Sequence, residues 1–302
     1  MDGVIVLTVC NTNYNMCNER MVLQVDYLLG FERFLIGKDK SLNTVSCYVR
    51  DTRSFINWFE GDTATVSEYD AVSFKKHLQK DCKEIITVNR KIASVNSFLN
   101  WLYESDHIGQ RIKIPTINIK DKPEFKGVEV ADIKRLRREV HRSGNKLHVC
   151  IFEVLLGTGI RVSELINIRL QDIKITDRKG WIEVIGKGNA KRSVPISKDV
   201  RKAIEDYIET RPNRGGEYLI VGQRENLKRN AVNLILEKYG DKLGIEVTPH
   251  MIRHSFGYKL VSDGVAITTI KELLGHEDIK TSLIYTQTTR ADMQNAVEEL
   301  EW

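Results

Sequence analysis

The sequence predicts a mainly α-helical protein with one small antiparallel sheet, split into a helical first half and an α+β second half. Three observations predict this. Apolar residues recur at helical spacing through residues 20–105. Three short β-rich runs separated by turn residues lie between 171 and 196. Between these regions, residues 109–127 lose helical periodicity and hold Pro115 and Pro123, two of only five prolines. A length of 302 residues fits two domains.

A first helix spans Met21 to Phe34 and is ended by Gly37. Ser41 caps a second, whose stripe is Val45, Tyr48, Val49, Thr52, Phe55, Ile56 and Phe59, with Gly61 as its stop. Ser67 starts a third with Val72 and Leu78, and Thr87 caps a fourth with Val88, Ile92, Val95, Leu99 and Leu102 on one face. Four such helices make a small bundle. The predicted organisation is an N-terminal extension over 1–19, a helical domain over 20–112, a linker over 113–127 and a second domain over 128–302.

In the second half, residues 145–156 read as a buried helix. Residues 171–175, 181–185 and 191–196 read as strands joined by turns at Asp177–Gly180 and Gly186–Ala190. Ser197 opens an amphipathic helix carrying Val200, Ala203, Ile204, Tyr207 and Ile208. Further helices start at Lys228 and Thr248 and lie near Thr268 and Ala291.

Composition narrows the function. Apolar residues at 41% exclude wholesale disorder. No apolar run approaches the roughly 20 residues of a membrane span. Asp2 stands where a secretory signal carries a basic residue, and Val4–Leu7 is too short for a signal core, so the chain reads as cytoplasmic. Cys10, Cys17, Cys47, Cys82 and Cys150 form no CxxC pair, which fits a reducing compartment and argues against a zinc ribbon. Net charge is +5, and the excess is concentrated in residues 128–285, with 28 basic against 21 acidic side chains. That segment favours a polyanion, although charge alone fits an ordinary solvated surface equally well.

Four stretches carry chemistry. Gly157-Thr158-Gly159-Ile160-Arg161 contains GxG but no third glycine at dinucleotide spacing. It reads instead as a tight turn presenting Arg161 at the end of an apolar helix, with Glu164 spaced to form an ion pair. Gly186-Lys187-Gly188 lacks the P-loop pattern. It places Lys187 on a hairpin turn near Lys191 and Arg192. Thr248-Pro249-His250-Met251-Ile252-Arg253-His254 starts a helix with His250 and Arg253 on one face of its first turn, where backbone N–H groups favour an anion. His250 and His254 have zinc-like spacing, but Met251 stands where a metalloprotease needs Glu; His254 reads as a packed structural residue. Finally, Leu273-Leu274-Gly275-His276 ends a helix, and Tyr285 follows nine residues later. A lone tyrosine among apolar residues is usually core.

Jointly these residues offer two arginines, a lysine on a turn, two histidines and a tyrosine, with no carboxylate cluster for Mg²⁺. Cations around a hydroxyl nucleophile suit metal-free phosphoryl transfer. The runs TGIRVSEL (158–165), VIGKGNAKRSVPI (184–196), TPHMIRHSF (248–256) and LLGHEDIKTSLIYT (273–286) resemble the motifs of the tyrosine recombinase (phage integrase) family, most closely its Xer-like and transposon-encoded branch.

The resemblance implies an N-terminal four-helix, SAM-like core-binding domain and a C-terminal α+β catalytic domain. It makes Tyr285 the nucleophile, Arg161 and Arg253 the phosphate clamp and Lys187 the general acid. His250 then assists proton transfer, His276 hydrogen-bonds the scissile phosphate and Glu164 braces the first arginine. It implies no cofactor and no metal. The partners are a double-stranded DNA recombination site, a homo-tetramer joining two such sites and accessory DNA-binding proteins. The setting is the cytoplasm, at the nucleoid when bound, and no membrane. The pattern Met293, Ala296, Val297 and Leu300 reads as a tail helix, docking either in a neighbouring subunit or on its own domain. The same chemistry leaves two alternatives: a monomeric topoisomerase, and a non-catalytic DNA-binding protein of the same fold. The role can be cointegrate resolution, integration and excision of a mobile element, or resolution of replicon dimers.

Overall fold

Hydroxyl side chains of Ser41, Ser67, Ser197 and Thr248 cap four helices in the computed structural model, which describes residues 26–118, 127–186, 189–213, 216–222 and 226–275. The chain divides at Lys122/Pro123 into two compact units.

In the first unit, helix α1 covers residues 26–37. Ser41 caps α2 (Leu42–Phe59) by accepting from the Thr44 N–H. Ser67 and Asp70 form a reciprocal capping box at the start of α3 (Glu68–Asp81). Helix α4 (Ile85–Glu104) begins at Glu84, three residues before the expected cap at Thr87. Thr87 instead lies in the first turn, its hydroxyl 3.4 Å from the Glu84 carboxylate. Gly61 likewise does not end α2: the left-handed residue is Glu60, at φ 52°.

Aromatic residues weld these helices. Phe55 meets Phe74 edge-on at 4.9 Å, and Phe31 meets Phe98 at 5.3 Å, all four fully buried. The one buried carboxylate of α2, Asp51, is held by the Arg90 guanidinium and by the Ser94 hydroxyl at 2.9 Å, both from α4. Beyond α4 the chain turns back without helix, but it is not loose. Ile112 and Ile114 are buried in the bundle core. The Asn96 amide pairs both ways with the backbone of Ile114, at 2.7 and 2.9 Å, and Asn89 does the same with Ile117, at 2.8 Å each. Residues 113–117, read from sequence as linker, thus pack on the first unit.

The second unit is built around α6 (Lys146–Thr158), capped by Asn145. Its Cys150, Ile151, Phe152, Val154 and Leu155 are all buried. Packed on it are α5 (Val130–Arg142), α8 (Lys198–Ile208), α9 (Arg229–Asp241) and α10 (Pro249–Ser262), with a single-turn α7 (Val162–Leu165) directly after it. Gly157 lets α6 and α8 approach, since a methyl group there would sit 2.4 Å from Val200 Cγ2. Ser197 and Thr248 cap α8 and α10 as their spacing predicts, with Pro249 at the first helical position. A last described helix, α11 (Ile267–Leu274), stops at Gly275 in the left-handed conformation. The sequence pattern predicts neither α5 nor α7.

Strands β1 (Ile173–Ile175), β2 (Gly180–Ile185) and β3 (Lys191–Pro195) form an antiparallel sheet in that order. Ile182 opposes Ile173 on one side and Val194 on the other, and Val184 opposes Arg192. Alternation along β2 sends Ile182 and Val184 into the core. Residues 171 and 172, expected at the start of β1, belong instead to a 3₁₀ turn over Leu170–Asp172. The expected helix near Ala291 and the tail pattern lie outside the described residues.

Candidate active site

Helix α6 ends at Thr158, and Gly159 turns the chain at φ 62°. The turn favours glycine on two counts, the left-handed φ and a Cβ position only 2.3 Å from Phe256 Cδ1. Ile160 is fully buried, which anchors the turn. Arg161 follows at the cap position of α7. Its backbone N–H donates to Glu164 Oε2 at 2.8 Å, and its Nη1 donates to Glu164 Oε1 at 3.0 Å. The ion pair expected from the i,i+3 spacing is therefore present. The Glu164 side chain is 2% exposed, whereas that of Arg161 is 39% exposed, so the guanidinium faces outward from a fixed base.

Arg253 enters from α10 and is buried. Its Nη1 donates 2.7 Å to the carbonyl of Gly159 and its Nη2 donates 2.7 Å to the carbonyl of Leu274. Arg161 Nη2 donates 3.1 Å to the next carbonyl, that of Gly275. A third guanidinium, Arg192 from β3, reaches the preceding one: its Nε donates 3.2 Å to Leu273. Three arginines from three separate motifs thus take three consecutive carbonyls at the C-terminus of α11. That is where a helix leaves acceptors unpaired and carries partial negative charge.

In the sequence Arg192 stands only as a basic neighbour of Lys187. It holds Glu164 in a two-pronged pair, Nη1 to Oε1 at 2.8 Å and Nη2 to Oε2 at 2.9 Å. Burial by itself raises the Glu164 pKa. The hydrogen bonds from Arg192 and the Arg161 backbone, with both positive charges, outweigh it and leave the carboxyl below its ordinary value. The sequence signal is weak: an arginine five residues past Lys187 on the second strand of the hairpin, with side-chain partners 28 and 81 residues away.

His250 is the second residue of α10, with an exposed edge. Its Nε2 lies 3.1 Å from Nε2 of the buried His254, and the two rings are near perpendicular, so one ring donates to the other. Partial burial, then the charges of Arg253, Arg229 and Arg161, lower the His250 pKa, which favours a neutral imidazole at pH 7.

The structure therefore brings Arg161, Arg253 and Glu164 together and sets His250 in the field of both arginines. Lys187, His276 and Tyr285 lie outside the described residues. The anchors next to two of them are described. Gly186 N–H donates 2.7 Å to Ala190 across the hairpin that carries Lys187, and Gly275 immediately precedes His276. Among the described residues, no group of three or more His, Cys, Asp or Glu side chains could hold a metal, and no helix is long and apolar enough to cross a membrane.

A helical unit is thus followed by an α+β unit in which Arg161 and Arg253 converge on adjacent carbonyls, and comparison with known proteins gives its class. Residues 127–292 match the phage integrase family and residues 28–106 match the phage integrase N-terminal SAM-like domain. The chain belongs to the phage integrase family and is a tyrosine site-specific recombinase. It is 33% identical over 282 residues to tyrosine recombinase XerA of Pyrococcus horikoshii, covering 92% of this chain and 94% of that protein. It is 29% identical over 295 residues to tyrosine recombinase XerD of Listeria monocytogenes serotype 4b, covering 91% and 98%. Among solved structures, XerH site-specific recombinase bound to palindromic difH substrate in a post-cleavage complex shares the fold. Its TM-score is 0.74 at 15% identity, with 87% of this chain and 81% of that one covered.

Proposed function

We propose that this recombinase binds double-stranded DNA at a specific site and cleaves and rejoins it through a covalent 3′-phosphotyrosyl intermediate. The Tyr285 phenol oxygen attacks the scissile phosphorus, and the bond to the 5′ oxygen breaks. Lys187 gives that leaving oxygen its proton, freeing a 5′-hydroxyl. Neutral His250 receives the phenol proton, and His276 hydrogen-bonds the phosphate. Arg161 and Arg253 neutralise the charge that builds on the non-bridging oxygens. Attack by the 5′-hydroxyl of the partner strand reverses these steps and reseals the DNA, so neither metal nor ATP is consumed.

The observation that carries this reading is the seating of Arg161 and Arg253 on the adjacent carbonyls of Gly275 and Leu274, one residue from His276. Four protomers joining two sites exchange strands in two sequential pairs through a Holliday junction. The biological task is resolution or integration and excision of a mobile element, or resolution of replicon dimers, in the cytoplasm, with accessory DNA-binding proteins where the site demands them. Phosphate contacts supply most of the affinity, which falls steeply with salt.

The test uses a nicked suicide duplex of the cognate site, identified by sequencing the DNA that flanks the coding region for inverted repeats. Protein–DNA adducts accumulate with wild type in EDTA and are absent with Tyr285→Phe. Adducts formed by Tyr285→Phe, or none formed by wild type, overturn the reading.

A further inference from the structure

We infer that Arg192 is a positioning residue for strand cleavage, which ties the lysine-bearing hairpin to the phosphate clamp and keeps Arg161 electrically available to its ligand. The inference rests on the reading of Arg161 as a phosphate ligand, and adds a residue that reading does not use.

The geometry is specific. Arg192 lies on β3 opposite Val184, two residues along the chain from Ala190, whose carbonyl accepts from Gly186 N–H just before Lys187 in sequence. Its guanidinium grips both oxygens of Glu164 and donates to the Leu273 carbonyl. It also lies against Gly275, where a Cβ would come within 2.7 Å of Nη1 and 2.8 Å of Cζ. One side chain therefore joins three stretches of chain that each carry a proposed catalytic group: the hairpin, the Arg161 turn and the end of α11. At 16% exposure it is too enclosed to be an ordinary surface ion pair.

The charges give this contact a second effect. Glu164 paired with Arg161 alone is neutral, and a neutral pair is a poor clamp for a phosphodiester. With Arg192 on the same carboxylate, the trio carries one net positive charge. The compensation is borne largely by the more buried arginine, leaving the outward-facing one to the anion. Lysine cannot replace it, because an ammonium cannot span two carboxylate oxygens and a carbonyl in one plane.

The experiment measures single-turnover adduct formation on the nicked duplex at saturating protein, with DNA affinity and thermal melting followed alongside. Arg192→Gln slows adduct formation about tenfold or more while affinity changes less than about threefold. Arg192→Lys, which keeps the charge and the fold, falls between this variant and wild type. Adding Glu164→Gln to Arg192→Gln restores part of the rate, because an unshared buried carboxylate no longer cancels Arg161; a merely structural brace would give a slower double variant. Wild-type rates in Arg192→Lys and Arg192→Gln, or a double variant no faster than Arg192→Gln, overturn the inference while leaving the cleavage reading intact. Absence of adducts with wild type overturns the cleavage reading itself.

Discussion

Arg253 Nη1 donates 2.7 Å to the carbonyl of Gly159, two residues before Arg161. The buried arginine thereby fixes the backbone from which the exposed one projects, so their spacing is set by one short turn rather than by two flexible side chains. Pre-organisation of this kind is what a developing anion rewards, because no reorganisation is needed as charge builds.

Replacing Arg253 by Lys tests this link. A single ammonium cannot reach both Gly159 and Leu274, so one carbonyl loses its partner. We expect a loss of about 1–3 kcal/mol in urea denaturation. We also expect adduct formation to fall by roughly two orders of magnitude, since the proposed guanidinium contact with phosphate would be lost as well. A stable variant with wild-type cleavage would contradict both expectations.

Gly159→Ala strikes the same turn from the backbone side. The left-handed conformation and the 2.3 Å approach to Phe256 act together. The expected destabilisation is roughly 2–4 kcal/mol. Gly144→Ala, at φ 66° but with open space around it, is the control and costs only the backbone part, about 1–2 kcal/mol.

In the first unit, Arg90→Met leaves Asp51 buried with only Ser94 and its own neighbours. Because the arginine is 39% exposed, we discount the usual cost of breaking a buried pair to about 1–3 kcal/mol. Asp51→Asn added to that variant recovers part of the loss, since a neutral amide is cheaper to bury. Denaturation midpoints of the single and double variants decide it.

Stability also depends on pH through His148. Burial first, then the Lys238 charge, lowers its pKa, and its Nδ1 lies 2.7 Å from the Tyr239 hydroxyl. The unfolded chain then binds more protons, so stability is complete above the ordinary imidazole value of 6.5 and declines as pH falls below it. His250 acts in the same direction. Melting temperatures followed from pH 7.5 downward should fall less steeply in His148→Gln than in wild type. Parallel slopes would rule His148 out as a contributor.

Local chemistry made much of this legible. Ser41, Ser67, Ser197 and Thr248 cap helices because a hydroxyl can satisfy an N–H that the helix itself cannot. The Arg161–Glu164 pair followed from residues three apart on one turn. Thr87 misled because Glu84 starts the helix with no side-chain cap at all, leaving no polar landmark. Helix α5 escaped notice because only Leu136 and Val140 of its thirteen residues are buried, too few for a visible stripe. Arg192 was opaque for a deeper reason: its partners lie 28 and 81 residues away, and only tertiary packing brings them within reach.

Two of the three asparagines of α4 impose a measuring rule on the chain that leaves it. Asn89 and Asn96 are seven helical residues apart, a rise of about 10.5 Å. Their partners Ile117 and Ile114 are three extended residues apart, nearly the same length at about 10 Å. The two rungs therefore keep step only at this count. One residue gained or lost between Ile114 and Ile117 throws the ladder out of phase and strands an amide, whereas the same change beyond Ile117 leaves both rungs untouched. Evolutionary or engineered changes in length are filtered here by arithmetic rather than by side-chain identity.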